Sequence, residues 1–428
     1  MRILLKNCKL LNGYKKILIE DERIGEIYSN KKEITLEQKV DITIDLKNKL
    51  VLPGIIDAHV HVRDMQQKEK EDWLSASMAA LKGGITTIMD MPNTKPPTLD
   101  ETALNYKREC AEKSLVHYKL HLGVAKSNYH NLEKILDSNN EDVGALKVFL
   151  AASSSNEIIE DKNYLKKIFK LAKKYDKVVI VHTELQECID KWQKKFKQNI
   201  YNHYKIRNRE CAIQGLKMVL ELAEEVGNQL YIAHVSTKEE IELIKNYKSQ
   251  FDNVYCEVTP HHLTLNKNIL EKVGCFGKVN PPLRTEADID ALWEALSKGV
   301  IDTIGTDHAP HELYQKQKEY SQAPSGFPGL ETMLAILIQE FKKRNFNLEK
   351  LIELCCLNPA NIFNLNEMGK IKPGYLADLA VIDENFKWEV LPGEFFTKAK
   401  FSPFTGIKLS NKVIMTIVNG LIYDFREE

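Results

Sequence analysis

The sequence predicts an α/β protein: a (β/α)8 TIM-type barrel with a small β-sandwich domain built from both chain termini. Two observations carry this. Eight short apolar strands alternate with amphipathic helical stretches through the middle of the chain, the pattern of parallel βαβ units closing into a barrel. Both ends, in contrast, are strand-rich and helix-poor. The chain has 428 residues, 43% of them apolar, enough for one large core and a second small one.

The N-terminal segments ILLKNCKLL, KKILIED and DITIDL read as short strands, with turns at Asn12-Gly13 and Ser29-Asn30. The barrel strands follow at Gly54–Val62, Thr86–Met91, Lys119–Val124, Ala145–Leu150, Val178–His182, Gln229–His234, Val254–Val258 and Thr303–Thr306. Helices are expected between them, among others over Asp72–Leu81, Tyr164–Tyr175, Glu210–Val226, Thr237–Lys248 and Ile289–Ser297. Strand texture returns at Ala377–Asp383 and Val413–Tyr423, where Asn419-Gly420 supplies a hairpin turn. The expected division is residues 53–365 as barrel, with 1–52 and 366–428 as one composite unit.

Composition removes several classes of function. Sixty Lys and Arg balance sixty Asp and Glu, so there is no net basic field for a nucleic acid. No run of roughly 18 apolar residues reads as a membrane span. The N-terminus lacks a secretory h-region and cleavage site, and a cytoplasmic protein is expected. Eight cysteines without C-x-x-C spacing read as reduced, mostly buried thiols.

Polar residues gather at the C-terminal ends of the strands, where barrel enzymes build their sites. The first strand ends in Asp57-Ala58-His59-Val60-His61-Val62-Arg63, which puts His59, His61 and Arg63 on one side. His182, His234 and Asp307 end three further strands. Each histidine alone reads as well as a backbone-bonded core residue. Together, neutral imidazoles and a carboxylate suit Zn²⁺ or a similar divalent ion. Lys147 interrupts the apolar strand ALKVFL, and from spacing two readings stay open. Its side chain snorkels to the rim, or burial among cations deprotonates it and it takes up CO₂ as an anionic carbamate. His117, His121, His130 and His203 are expected in helical or loop contexts, His261-His262 in a supporting place, and His308 beside the ligands rather than among them.

The set PGIIDAHVHVR (53–63), GGITTIMDMPNT (83–94), ALKVFL (145–150), IVHTE (180–184), IAHVS (232–236), VNPPLR (279–284), GTDHAPH (305–311) and GFPGLET (326–332) resembles the dihydroorotases of the amidohydrolase superfamily. The resemblance spans nearly the whole chain. It implies two divalent metal ions, zinc first among them: one held by His59, His61 and Asp307, the other by His182 and His234, with Lys147 bridging as an N6-carboxylated lysine. Arg63, Asn93 and His311 match positions that hold the substrate carboxylate. Asn280 and the backbone at Ser325 and Gly326 match further substrate contacts, and Ser153 is the candidate hydroxyl on a closing loop. Where relatives read REPG, this chain has Arg63-Asp64-Met65-Gln66, which leaves the shape of that loop open.

The implied reaction is the reversible cyclisation of N-carbamoyl-L-aspartate to L-dihydroorotate, with Asp307 as general acid and base. A homodimer is the default assembly, and association with aspartate carbamoyltransferase stays open. Two rivals are weighed. A hydantoinase or allantoinase would share the ligands but has no use for Arg63 and Asn93 at a carboxylate. A non-catalytic amidohydrolase-like scaffold would have no reason to keep all six ligands.

Overall fold

The computed structural model describes residues 1–30, 39–138, 140–152 and 157–426. Eight strands, Ile55–Val60, Ile85–Asp90, His117–Gly123, Val143–Phe149, Val178–His182, Leu230–Ile232, Val254–Val258 and Thr303–Ile304, pair in sequence order as one parallel sheet. The eighth returns to the first through a parallel bridge between Val60 and His308, where His61 N–H donates to His308 O at 2.8 Å. The contact that brings the first and eighth strands together therefore lies beside the expected ligands. Register against the second strand slips between Asp57 and Val60, an irregularity of the kind that re-aims side chains at sites.

The helices start where their sequences supply caps. Asp72 and Ser75 form a capping box for Trp73–Lys82, and Thr237 and Glu240 form one for Lys238–Lys248. The longest, Arg209–Val226, ends at Gly227 in the left-handed region. Their apolar faces bury Leu104, Leu165, Phe169, Leu216 and Leu292 against the outer faces of the strands. Inside the barrel, Ile56, Met89, Ala145, Ile180 and Tyr231 form an apolar floor sealed by Phe363 and Leu365 from the chain that follows. The polar site stands on that floor.

The strands of the two termini join in one sheet, ordered 421–424, 412–418, 379–383, 50–53, 2–10, 13–20 and 23–29. Strand 2–10 is shared: Ile3–Lys6 pairs with Ile42–Asp45, while Lys9 pairs with Leu50. The fork makes the unit sandwich-like, and its own core includes Ile3, Leu5, Ile17, Leu379, Val381 and Ile417. The hairpin expected at Asn419-Gly420 has both residues at positive φ (48° and 73°), as its turn requires. A Cβ on Gly420 would lie 2.1 Å from Asp21 O, so glycine is needed there. Phe395, Phe401 and Phe404 leave the sheet and pack with Val279, Leu283 and Phe327 of the barrel.

Two expectations are corrected. Cys188 and Cys211 are joined as a buried disulfide, and the other six cysteines are free thiols. Packing of Gln186–Gln193 against the start of Arg209–Val226 sets the two Cα atoms 5.2 Å apart, within disulfide reach; a separation of 23 residues gives no motif to read. His117 and His121 lie on the third barrel strand rather than in a loop or helix, and His121 is fully buried. Among the described residues, no helix is long and apolar enough to cross a membrane.

Truncation should register in either core. Leu122→Ala in the barrel and Ile417→Ala in the composite sheet are each expected to cost about 2–5 kcal/mol in denaturant unfolding, since both side chains are fully buried. A cost near zero at Ile417 would mean that the terminal sheet is not part of the cooperative fold.

Candidate metal centre and substrate pocket

The strand ends deliver the expected residues to one narrow cleft, lined by His59, His61, Lys147, His182, His234 and Asp307 together with Asn280, Ser325 and Gly326. One ligand atom each from His59, His61 and Asp307 lies within 4.8 Å of the others. His61 Nε2 is 3.0 Å and His59 Nε2 3.3 Å from Asp307 Oδ1. Opposite them, His182 Nδ1 is 3.1 Å from His234 Nε2.

Which nitrogen faces the centre is decided from behind. Glu257 Oε1 accepts from His59 Nδ1 at 2.8 Å, and Asn93 Oδ1 accepts from His61 Nδ1 at 2.6 Å, so both Nε2 atoms turn inward. At His182 the ring is reversed: Nε2 is held by Glu184 at 3.1 Å, leaving Nδ1 for the centre. Glu184 is in turn gripped by Arg207, whose Nε donates at 2.8 Å and whose Nη1 reaches Ala152 O. Partners of this type fix tautomer and ring orientation in metal sites. Burial keeps the imidazoles neutral: His59 is pushed down to about 3 by desolvation and the Lys147 charge, and His61 and His234 fall well below their ordinary range. Neutral rings with converging lone pairs are a fitting donor set for a divalent ion.

Lys147 is fully buried on the fourth strand, with no hydrogen-bond partner for Nζ among the described residues. Its strand neighbours are Gly123 and Ile180, and its ammonium lies 4.9 Å from the Phe149 ring centroid. Desolvation lowers it to about 8 against the pull of Glu257 and Asp307. Glu257 answers from the seventh strand, pushed up to about 7 by burial while it accepts from His59, the His234 N–H and Tyr231 OH.

Arg63 follows the first strand at a φ of 68°, and Asp64 and Met65 are left-handed too. The departure from the family loop thus has a definite shape. Asp64 stitches it, Oδ1 accepting from Met65 N and Oδ2 from Trp73 N at 2.6 and 3.0 Å. Arg63 is 3% exposed, and its Nε and Nη2 find no acceptor among the described residues. His311 donates Nε2 to Ser325 O at 3.0 Å, and its Nδ1 likewise has no partner there. Asn93, expected at the substrate, spends its carbonyl on His61. His308 accepts from Gly329 N and stays out of the ligand ring, and His262 supports Pro281 O at 3.1 Å. Ser153 lies outside the described residues.

Sequence reasoning missed Glu257, Arg207 and the part played by Glu184. Glu257 carried a usable signal, because a carboxylate inside Val-Tyr-Cys-Glu-Val is as anomalous as Lys147 in its own strand. Arg207 sits in an irregular stretch and gave none. With these partners removed the ligand rings lose their aim: Glu257→Gln is expected to weaken metal binding about 10- to 100-fold in a competitive chelator titration. Unchanged affinity would deny Glu257 that function.

The chain is similar to known proteins over nearly its whole length. The model of the amidohydrolase family matches residues 50–422. The curated dihydroorotase of Methanosphaera stadtmanae is 35% identical, covering 98% of this chain and 96% of that protein. That of Pyrococcus horikoshii is 36% identical over 96% and 88%. Among solved structures, an L-hydantoinase from Arthrobacter aurescens superimposes with a TM-score of 0.93 at 30% identity, covering 100% of this chain and 96% of its own. Family match, full-length relatives and a barrel with its His-His-Asp group lead to one conclusion: this chain belongs to the amidohydrolase family, among the dihydroorotases.

Proposed function

We propose that the chain catalyses the reaction its sequence relatives are named for, the reversible interconversion of N-carbamoyl-L-aspartate and L-dihydroorotate. The observation that carries this is Arg63, a buried guanidinium that feels the charges of Asp90 and then Asp307 but has two nitrogens without an acceptor among the described residues. Burying an arginine without an acceptor is costly, and a substrate carboxylate removes that cost by forking onto it. A hydantoin has no such carboxylate. The hydantoinase reading, which the likeness to solved hydantoinases keeps in view, leaves Arg63 Nε and Nη2 without an acceptor among the described residues.

His59, His61 and Asp307 would hold one divalent ion, and His182 and His234 a second, most simply zinc, with a carbamate on Lys147 between them. A carbamate supplies the anionic oxygens that an isolated ammonium lacks, and it removes a positive charge from the neighbourhood of two others. When bound, the ions supply Lewis acidity that activates water and polarises the ring amide carbonyl. The protein does the rest. Arg63, assisted by His311, fixes the substrate carboxylate, and Ser325, Gly326 and Asn280 flank the ring. In the hydrolytic direction water's oxygen joins the amide carbon as the carbon–nitrogen bond breaks. Asp307 takes the water's proton and passes it to the departing nitrogen; in cyclisation the same carboxyl runs the transfer backwards.

On this reading the barrel, residues 53–365, carries the chemistry, and residues 1–52 with 366–428 form a brace beside it. The working assembly is a cytoplasmic homodimer acting on a small molecule, and association with aspartate carbamoyltransferase would serve substrate delivery.

The direct assay follows the ultraviolet absorbance of dihydroorotate with purified enzyme, with and without chelator. Chelator-sensitive loss of absorbance is expected; turnover of hydantoin or allantoin instead would overturn the assignment. Asp307→Asn is expected to lower kcat by about 10²- to 10⁴-fold, the usual worth of a positioned acid–base. Arg63→Met should lower kcat/KM about 10- to 100-fold, the worth of a hydrogen bond to a charged group. An Arg63→Met enzyme as active as the parent would contradict the carboxylate contact.

A further inference from the structure

Two lysines, Lys316 buried and Lys278 half-buried, stand behind one wall of the cleft, and the reaction described above gives them no task. Lys316 is 1% exposed, and its Nζ donates to the main-chain carbonyls of Lys278 (3.2 Å), Pro324 (2.9 Å) and Gly326 (2.8 Å). Burial and the Lys278 charge push the Lys316 pKa well down. Three carbonyl acceptors around one Nζ nevertheless match the three N–H groups of an ammonium, so all are used. Lys278 lies over the Tyr320 ring and donates to the carbonyls of Tyr320 and Ala323, both at 2.7 Å. The Gly326 N–H returns to Lys278 O at 2.8 Å.

The carbonyls of Ala323, Pro324, Ser325 and Gly326, four in succession, are thus taken by Lys278, Lys316, His311 and Lys316 again. The next, Phe327 O, accepts from Ala309 N at 3.0 Å. Neither lysine forms an ion pair among the described residues. Burying an ammonium without a counter-ion is expensive, and an apolar side chain would fill the same space more cheaply. What the ammonium provides is direction, because it fixes several carbonyl dipoles at once. Gly326, at a φ of 115°, adds a close approach: a Cβ there would fall 2.6 Å from Ala309 Cβ.

We propose that Lys316 and Lys278 are positioning residues whose paired ammonium groups lock backbone 323–326, so that Ser325 and Gly326 present a fixed wall to the substrate ring. The identity of the ring rests on the function proposed above; the lock itself does not. Its loss misplaces the wall for substrate and transition state alike, which raises KM and leaves kcat in place.

The test compares metal-loaded parent, Lys316→Met and Lys278→Met enzymes by amide hydrogen exchange, metal content and steady-state kinetics with dihydroorotate. For Lys316→Met the expected results are about tenfold faster exchange over 323–327, unchanged exchange in the barrel strand 143–149, and equal metal content. KM should rise about tenfold or more with kcat within about threefold, the scale of the lost hydrogen bonds. A mainly structural lysine would lower stability and the active fraction and leave KM alone. Unchanged exchange over 323–327, or a fall in kcat at constant KM, overturns the proposal. Should Lys316→Met fail to fold, Lys278→Met, which removes only the bonds to Tyr320 and Ala323, must show the same pattern at smaller size; parent-like exchange and KM in that variant overturn it equally. If the parent does not turn over dihydroorotate, the assigned reaction fails, while the exchange comparison still decides the lock.

Discussion

The arrangement of the site follows from one costly burial, an ammonium at Lys147 with no acceptor for it among the described residues, set inside a ring of imidazoles that burial keeps neutral. The floor of Ile56, Ile180 and Tyr231 closes the lower side. Glu257 and Asp307 are the anionic groups acting on Lys147, and each is also committed to histidines. Such a ring is consistent with a centre whose charge is completed by bound cations and by a change of sign at the lysine itself. His59, His61 and His182 are aimed at a common point, each held from behind by a carboxylate or amide.

Around that centre the protein uses cations in three distinct ways. Arg63 is buried with two donors unpaired among the described residues, and the carboxylate contact proposed above would use them. Arg207 is buried with donors committed to Glu184 and Ala152 O, and serves the ring orientation of His182. Lys316 is buried with every donor on a backbone carbonyl. Net charge over the whole chain is zero, so none of this is visible in the average. What separates the three is which acceptor lies within reach, a property of the fold.

Much of the architecture was legible because a barrel repeats one rule: apolar strand, polar terminus, amphipathic helix. The strands from Ile55 to Ile304 and the polar residues at their ends follow that rule, and His59, His61, Lys147, His182, His234 and Asp307 group at one cleft. What stayed hidden depends on contacts between segments distant in sequence. The Cys188–Cys211 bond exists because two helices pack, with no spacing to announce it. The carbonyls of Ala323, Pro324 and Gly326 are held by Lys278 and Lys316, which no motif in the sequence marks. The loop after Arg63 departs from the family pattern in letters, yet Asp64 supplies the bonds that give it shape, a local solution that motif matching does not see.

The most direct measurement is ¹³C NMR of the metal-loaded enzyme equilibrated with ¹³C-bicarbonate, beside Lys147→Ala prepared in the same way. The expected result is a carbamate resonance in the parent that is missing from the variant. A fully metallated, active enzyme without that resonance would show that Lys147 remains an unmodified amine, and the bridging carbamate would have to be abandoned.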